Sequence, residues 1–214
     1  MVAPGASPVS VEGDLDLPLS RWLWLVKWLL AIPHWIILFV LWIAFVLLTV
    51  VAFFAILFTG RYPRGIFDFN LGVLRWSWRV SYYAYGGLGT DRYPPFSLGE
   101  EPDFPARLDI VYPGQLSRGL VLVKWWLLAL PHYVVLGFFV GSGCRDGGVS
   151  LIGLLALFAG VALAFTARYP AGIFDLLVGL NRWVLRVVAY ATLMTDSYPP
   201  FRLDQGGTEP AGTP

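Results

Sequence analysis

From Lys27 the chain reads Lys-Trp-Leu-Leu-Ala-Ile-Pro-His, and from Lys124 it reads Lys-Trp-Trp-Leu-Leu-Ala-Leu-Pro-His. The parallel continues along the sequence. Arg61-Tyr62-Pro63-Arg64-Gly65-Ile66-Phe67-Asp68 returns as Arg168-Tyr169-Pro170-Ala171-Gly172-Ile173-Phe174-Asp175. Arg75-Trp76 with Arg79 returns as Arg182-Trp183 with Arg186. Each copy closes on Asp-x-Tyr-Pro-Pro-Phe, at Asp91 and at Asp196. Words that recur in one order mark an internal duplication, which constrains the fold to two like units. The repeats span residues 20–98 and 117–203, joined by an acidic, proline-bearing linker at 99–116. The tails, 1–19 and 204–214, carry Gly, Pro, Ser and Thr and are expected to be disordered.

Composition sets the solvent. Of the 214 residues, 57% are hydrophobic and only 14% charged. A soluble domain carries roughly 25% charged residues, so this chain lacks the polar surface to face water all round. Ten tryptophans and ten tyrosines suit long membrane–water boundaries, where amphipathic rings settle at headgroup depth. A formal net charge of +1 creates no field to draw in nucleic acid. One cysteine, Cys144, excludes an internal disulfide. The first 19 residues carry Glu12, Asp14 and Asp16 without a basic cluster, and do not read as a signal peptide.

The run from Trp22 to Thr59 is almost unbroken apolar. As a straight helix it would extend about 57 Å, against a hydrocarbon core of about 30 Å. It must therefore bend, lie partly at the interface, or cross twice. In the second copy the apolar stretches 119–140 and 149–167 are split by the polar loop 141–148. A single crossing from Pro131 would sink Arg145 and Asp146 in hydrocarbon, at roughly 2.5–3.5 kcal/mol each. Two crossings avoid that cost. If both copies fold alike, the first is also a hairpin, turning near residues 41–44. The expected fold is thus an all-α integral membrane protein of two tandem repeats, each a transmembrane helical hairpin followed by an interfacial amphipathic helix. The total is four crossings, with both termini cytoplasmic by the positive-inside rule.

The interfacial helices fall at 65–85 and 172–194. In the first, Asp68, Arg75 and Arg79 share one line of the helix; in the second, Asp175, Arg182 and Arg186 do. Such a stripe suits phosphate headgroups, or pairs within itself. Bulky rings on the remaining surface would sit among acyl chains.

Four further ionisable groups lie in apolar sequence. Lys27 and Lys124 either snorkel to the headgroups or pair with Asp68 and Asp175. His34 and His132 each follow a proline, and an intramembrane histidine is by default a candidate site. Three roles are open to them: a hydrogen-bonded structural histidine, a proton relay, or an axial ligand to haem or a pigment. No cofactor is otherwise called for, and no metal-binding spacing occurs. The words containing Asp91 and Asp196 read as rigid turns whose rings plug against the bundle.

The four words taken together resemble the DUF4389 family, small bacterial membrane proteins best represented in actinobacteria. The likeness covers about 20–98 and 117–203, and implies a bacterial cytoplasmic membrane protein built of repeat units. The family supplies no catalytic residues. Nor does the sequence carry a nucleotide-binding glycine loop, a nucleophile elbow or a zinc-type His-Glu-x-x-His. The leading expectation is a non-enzymatic accessory or scaffold subunit of a larger membrane assembly. Its partners would be membrane lipids and other integral membrane proteins or itself, with no nucleic acid. A small repeat-built transporter or channel is the second reading, and a haem- or pigment-binding subunit the third.

Overall fold

The computed structural model describes residues 7–139 and 150–204. The chain is mostly helical. In order it forms β1 (Val9–Gly13), α1 (Trp24–Thr59), α2 (Arg64–Tyr83), β2 (Ala106–Ile110), α3 (Arg118–Val123), a π-helical turn (Lys124–Leu128), α4 (Leu130–Phe139), α5 (Leu151–Thr166) and α6 (Ala171–Ala191).

The strands correct the expectation of an all-α chain. β1 lies in the segment read as a disordered tail, β2 in the linker, and the two pair antiparallel. Each is five residues long with alternate residues buried, the period-two pattern of a half-covered strand. Each also precedes its repeat by the same spacing, Gly13 to Lys27 and Ile110 to Lys124. In the register Val9 faces Ile110, Val11 faces Leu108 and Gly13 faces Ala106. Exchanging the repeats maps this ladder onto itself, so a pseudo-twofold axis passes through the Val11–Leu108 pair.

α1 is one continuous helix of 36 residues, about 54 Å long. This corrects the hairpin expected in the first repeat. Nothing between Trp35 and Phe58 is a glycine, a proline or a charge, and an unbroken helix keeps its backbone hydrogen bonds within itself. α1 ends where Gly60 adopts a left-handed conformation, φ 72°, which glycine takes without steric cost. In the second repeat the matching apolar run is split in the sequence by polar residues. Its polar loop, 141–148, lies outside the described residues. The extra residue of Lys-Trp-Trp-Leu-Leu is taken up by the π-helical turn at Lys124–Leu128, the usual way a helix absorbs a single insertion.

α2 and α6 follow short turns that end in Pro63 and Pro170, whose φ of −61° and −68° lead into the helices. α2 buries two opposite faces. On one, Arg75, Trp78 and Tyr82 reach the backbone of Leu108, Glu12 and Asp14, at and beside the sheet. On the other, Trp76, Val80 and Ala84 pack with Ala31 and Leu38 of α1. At about 100° per residue these sets lie nearly opposite each other. The molecule is therefore layered: the sheet outside, α2 and α6 in the middle, α1 and α3–α5 beneath. α2 and α6 were expected to set their rings among acyl chains. Instead Phe67, Trp76, Trp78, Tyr82, Tyr83, Phe174, Trp183 and Tyr190 are buried inside the protein.

Candidate functional site

Each repeat builds the same polar centre where the start of its apolar helix meets its closing word. In the first, Lys27 Nζ donates to the Thr90 carbonyl at 2.6 Å and pairs with Asp91 Oδ1 at 2.9 Å. Asp91 Oδ2 accepts the Ser20 N–H at 2.5 Å. In the second, Lys124 Nζ donates to the Thr195 carbonyl and to Asp196 Oδ1, both at 2.7 Å, and Asp196 Oδ2 accepts the Ser117 N–H at 2.7 Å. Tyr83 and Tyr190 lie 5.1 and 5.2 Å from the two ammonium groups, ring centroid to nitrogen, within cation–π range. Lys27 and Lys124 are only 1% and 0% exposed. They do not snorkel, and their carboxylate partners are Asp91 and Asp196 rather than Asp68 and Asp175. The Asp-x-Tyr-Pro-Pro-Phe words are turns that also carry a counter-charge.

The histidines sit about two helical turns further along. His34 and His132 are completely buried. His34 stacks on Phe96 at 3.9 Å between centroids, with Tyr93 tilted at 4.9 Å. His132 stacks on Phe201 at 4.3 Å, with Tyr198 at 4.9 Å. Trp76 and Trp183 meet them edge-on at 5.8 and 5.7 Å. Trp76 Nε1 donates to His34 Nδ1 at 3.0 Å, so the neutral imidazole carries its proton on Nε2. Each histidine is thus boxed by rings of its own repeat, the plugging role expected of the closing words. The four ionisable groups form two separate centres, one per repeat. Among the described residues no group of three His, Cys, Asp or Glu side chains could hold a metal ion.

The arginines correct the headgroup expectation. Arg79, Arg182 and Arg186 are buried and bind backbone carbonyls. Arg79 donates to Gly99 at 3.0 Å and to Ser97. Arg182 donates to Val11 at 2.9 Å and Asp204 at 3.0 Å. Arg186 reaches the Arg202 carbonyl at 3.5 Å. Burial pushes all three guanidinium groups below their ordinary value, with the neighbouring Arg186 adding to the effect at Arg182. Arg75 donates to the Leu108 carbonyl and pairs with Asp109 and Glu100. These arginines clamp strand and loop backbone, whose carbonyls need donors where water is excluded. Asp68 pairs with Arg64 at the surface, and Asp175 is exposed. Neither meets its arginine stripe.

The clamps cross between repeats. Arg75 of the first holds β2, which leads the second, and Arg182 of the second holds β1, which leads the first. A third polar cluster lies where α1 meets α2: Asn70 Nδ2 donates to Thr49 Oγ1 at 3.2 Å and to the Tyr62 hydroxyl at 3.0 Å. Burial pushes that hydroxyl up to about 12, so it stays protonated.

The model of the family described as a domain of unknown function (DUF4389) matches residues 21–97 and 122–202. The chain belongs to that family and carries two copies of its domain. No match was found among curated proteins or among solved structures.

Proposed function

We propose that the protein is a non-enzymatic integral membrane protein, an accessory or scaffold subunit of a larger membrane assembly. One observation carries the reading: the uncovered apolar surface of α1. Trp24–Thr59 and Arg118–Gly137 are long and apolar enough to cross a membrane. A core helix of a soluble protein is mostly buried, whereas only 17% of the apolar window of α1 is. Trp35, Phe39, Val46, Leu47, Phe54 and Phe58 all stand exposed along it. An apolar face of that extent needs lipid or another protein against it. The accessory role is supported by the polar centres, whose ionisable groups bind each other and the backbone. Both the N-terminal strand and the linker lie on the charged side of the molecule, which favours the cytoplasmic side for them.

The test is the mass and composition of the particle that carries the chain after extraction in mild detergent. A discrete complex with other membrane proteins is expected. A particle of this chain alone would overturn the accessory role and favour transport, with flux in proteoliposomes and its loss in His34→Ala and His132→Ala as the next measurement.

A further inference from the structure

The apolar helices are long enough to span a bilayer, yet the layering forbids them to stand upright in one. Four observations combine. First, α1 and the helices α3–α5 run side by side in opposite directions. The end of α1 meets the start of α3, with Leu116 N–H donating to the Gly60 carbonyl at 2.9 Å. The start of α1 meets the later part of α5, where the Trp24 ring lies against Gly160. The pseudo-twofold axis is therefore perpendicular to α1 and passes near its middle.

Second, α2 runs back beside α1, as the contacts His34–Trp76, Trp42–Ser77 and Thr49–Asn70 show. Residues 84–117 must then travel from the start of α1 to its end. That leg is irregular except for β2, and it carries Asp91, Arg92, Glu100, Glu101, Asp103, Arg107 and Asp109. An upright α1 would make it recross the hydrocarbon as an open, charged, non-helical segment. Lipid-exposed backbone of that kind does not occur in membranes.

Third, the outer face of the sheet lies on the same axis, opposite the middle of α1. It is exposed and charged: Arg107 pairs there with Glu12 and Asp14, and Arg75 with Asp109. Upright helices would hold that face at mid-bilayer. An apolar rod of about 54 Å in a core of about 30 Å would also need a tilt of about 56°, beyond the 0–40° found for membrane helices.

Fourth, exposed arginines mark both ends of the apolar layer: Arg21 and Arg168 at one, Arg61 and Arg118 at the other. Upright, arginines at both ends, with Arg64 beside Arg61 already paired to Asp68, would give the positive-inside rule little to choose between. Lying flat, all four arginines come to one level, where anionic headgroups of the cytoplasmic leaflet complement them.

We infer that the protein lies flat in a single leaflet, the cytoplasmic one, with its pseudo-twofold axis along the membrane normal. α1 and α3–α5 are sunk in the acyl chains, the arginines sit among anionic headgroups, and the sheet faces the cytoplasm. The inference rests on the membrane reading above and replaces crossing with one-sided insertion.

Gly65 and Gly172 provide the test. They are equivalent positions near opposite ends of α1, both exposed, and a Cβ added at either meets nothing within 4 Å. Gly65→Cys and Gly172→Cys, each in a Cys144→Ser background, are expressed in bacteria and treated with a membrane-impermeant maleimide. Intact spheroplasts and inside-out vesicles are compared. Flat insertion predicts that both positions resist label in spheroplasts and both react in inverted vesicles. One position reacting from each side would overturn it in favour of spanning, and both reacting in spheroplasts would overturn the cytoplasmic leaflet. The carbonate-washed membrane fraction is assayed in parallel. Chain lost to the wash would sink the membrane reading itself, whereas chain retained but labelled from both sides would sink only the flat orientation.

Discussion

The two repeats hold matching lysine–aspartate centres on apolar helices that differ. In the first, Lys27 and His34 stand on one uninterrupted helix that ends in a left-handed glycine. In the second, Lys124 falls within a π-helical turn and His132 on a separate segment, and the left-handed residue at the end of α5 is Ala167, φ 55°. Even so, the ion-pair lengths differ by only a few tenths of an ångström, 2.9 against 2.7 Å. The duplicated unit is constrained at its buried ion pair and less along its apolar helix. The closing word and the α2 or α6 face fix the lysine and histidine, while the helix between them absorbs insertions as long as those residues return to the buried stripe.

The largest effect expected to break this equivalence comes from the ion pairs. Asp91→Ala and Asp196→Ala each strand a buried ammonium, and each should cost about 3–5 kcal/mol, read as a drop in the unfolding midpoint in detergent. Equal losses would support equivalence. A loss confined to Asp91→Ala would show that the π-helical turn lets Lys124 escape to water.

A smaller effect should come from paired glycines where the closing words dock. A Cβ at Gly72 would lie 2.8 Å from the Leu98 carbonyl oxygen, and one at Gly179 would lie 2.7 Å from that of Leu203. Gly72→Ala and Gly179→Ala should each cost about 1–3 kcal/mol by forcing the backbone apart, measured by the same unfolding. The smallest effect should sharpen the difference between repeats by opposite signs. Gly60→Ala should lose about 1 kcal/mol and Ala167→Gly should gain about 1 kcal/mol, the usual cost of a left-handed L-residue. If both shift the same way, the helix ends are not equivalent.

The duplication was legible because it needs only repeated words. The helical segments were legible because long apolar runs and prolines at turns are local signals. Strands of five residues were not, since Val-Ser-Val-Glu-Gly and Ala-Arg-Leu-Asp-Ile gain meaning only by pairing across a whole repeat. The hairpin expected in the first repeat came from carrying the second repeat's polar loop back to a stretch that lacks one. Lys27 and His34 were legible as unusual residues in apolar sequence. Asp91 was visible only as a turn residue, because nothing local says that a carboxylate in the closing word returns to the start of α1. The carbonyl partners of Arg79 and Arg182 were invisible in principle, since every residue possesses a backbone carbonyl.

The ladder that maps onto itself has a consequence for how such a chain could have arisen. A polypeptide with one repeat and its leading strand would present an unpaired strand edge and an arginine aimed at a carbonyl it does not own. Two such polypeptides would satisfy each other by a self-complementary, isologous contact, residue for residue the one seen between β1 and β2. The tandem chain is in that sense a homodimer with its halves tied together. The tether turns an encounter between subunits into an intramolecular event, and it frees each half to diverge, as the π-helical turn of the second repeat shows.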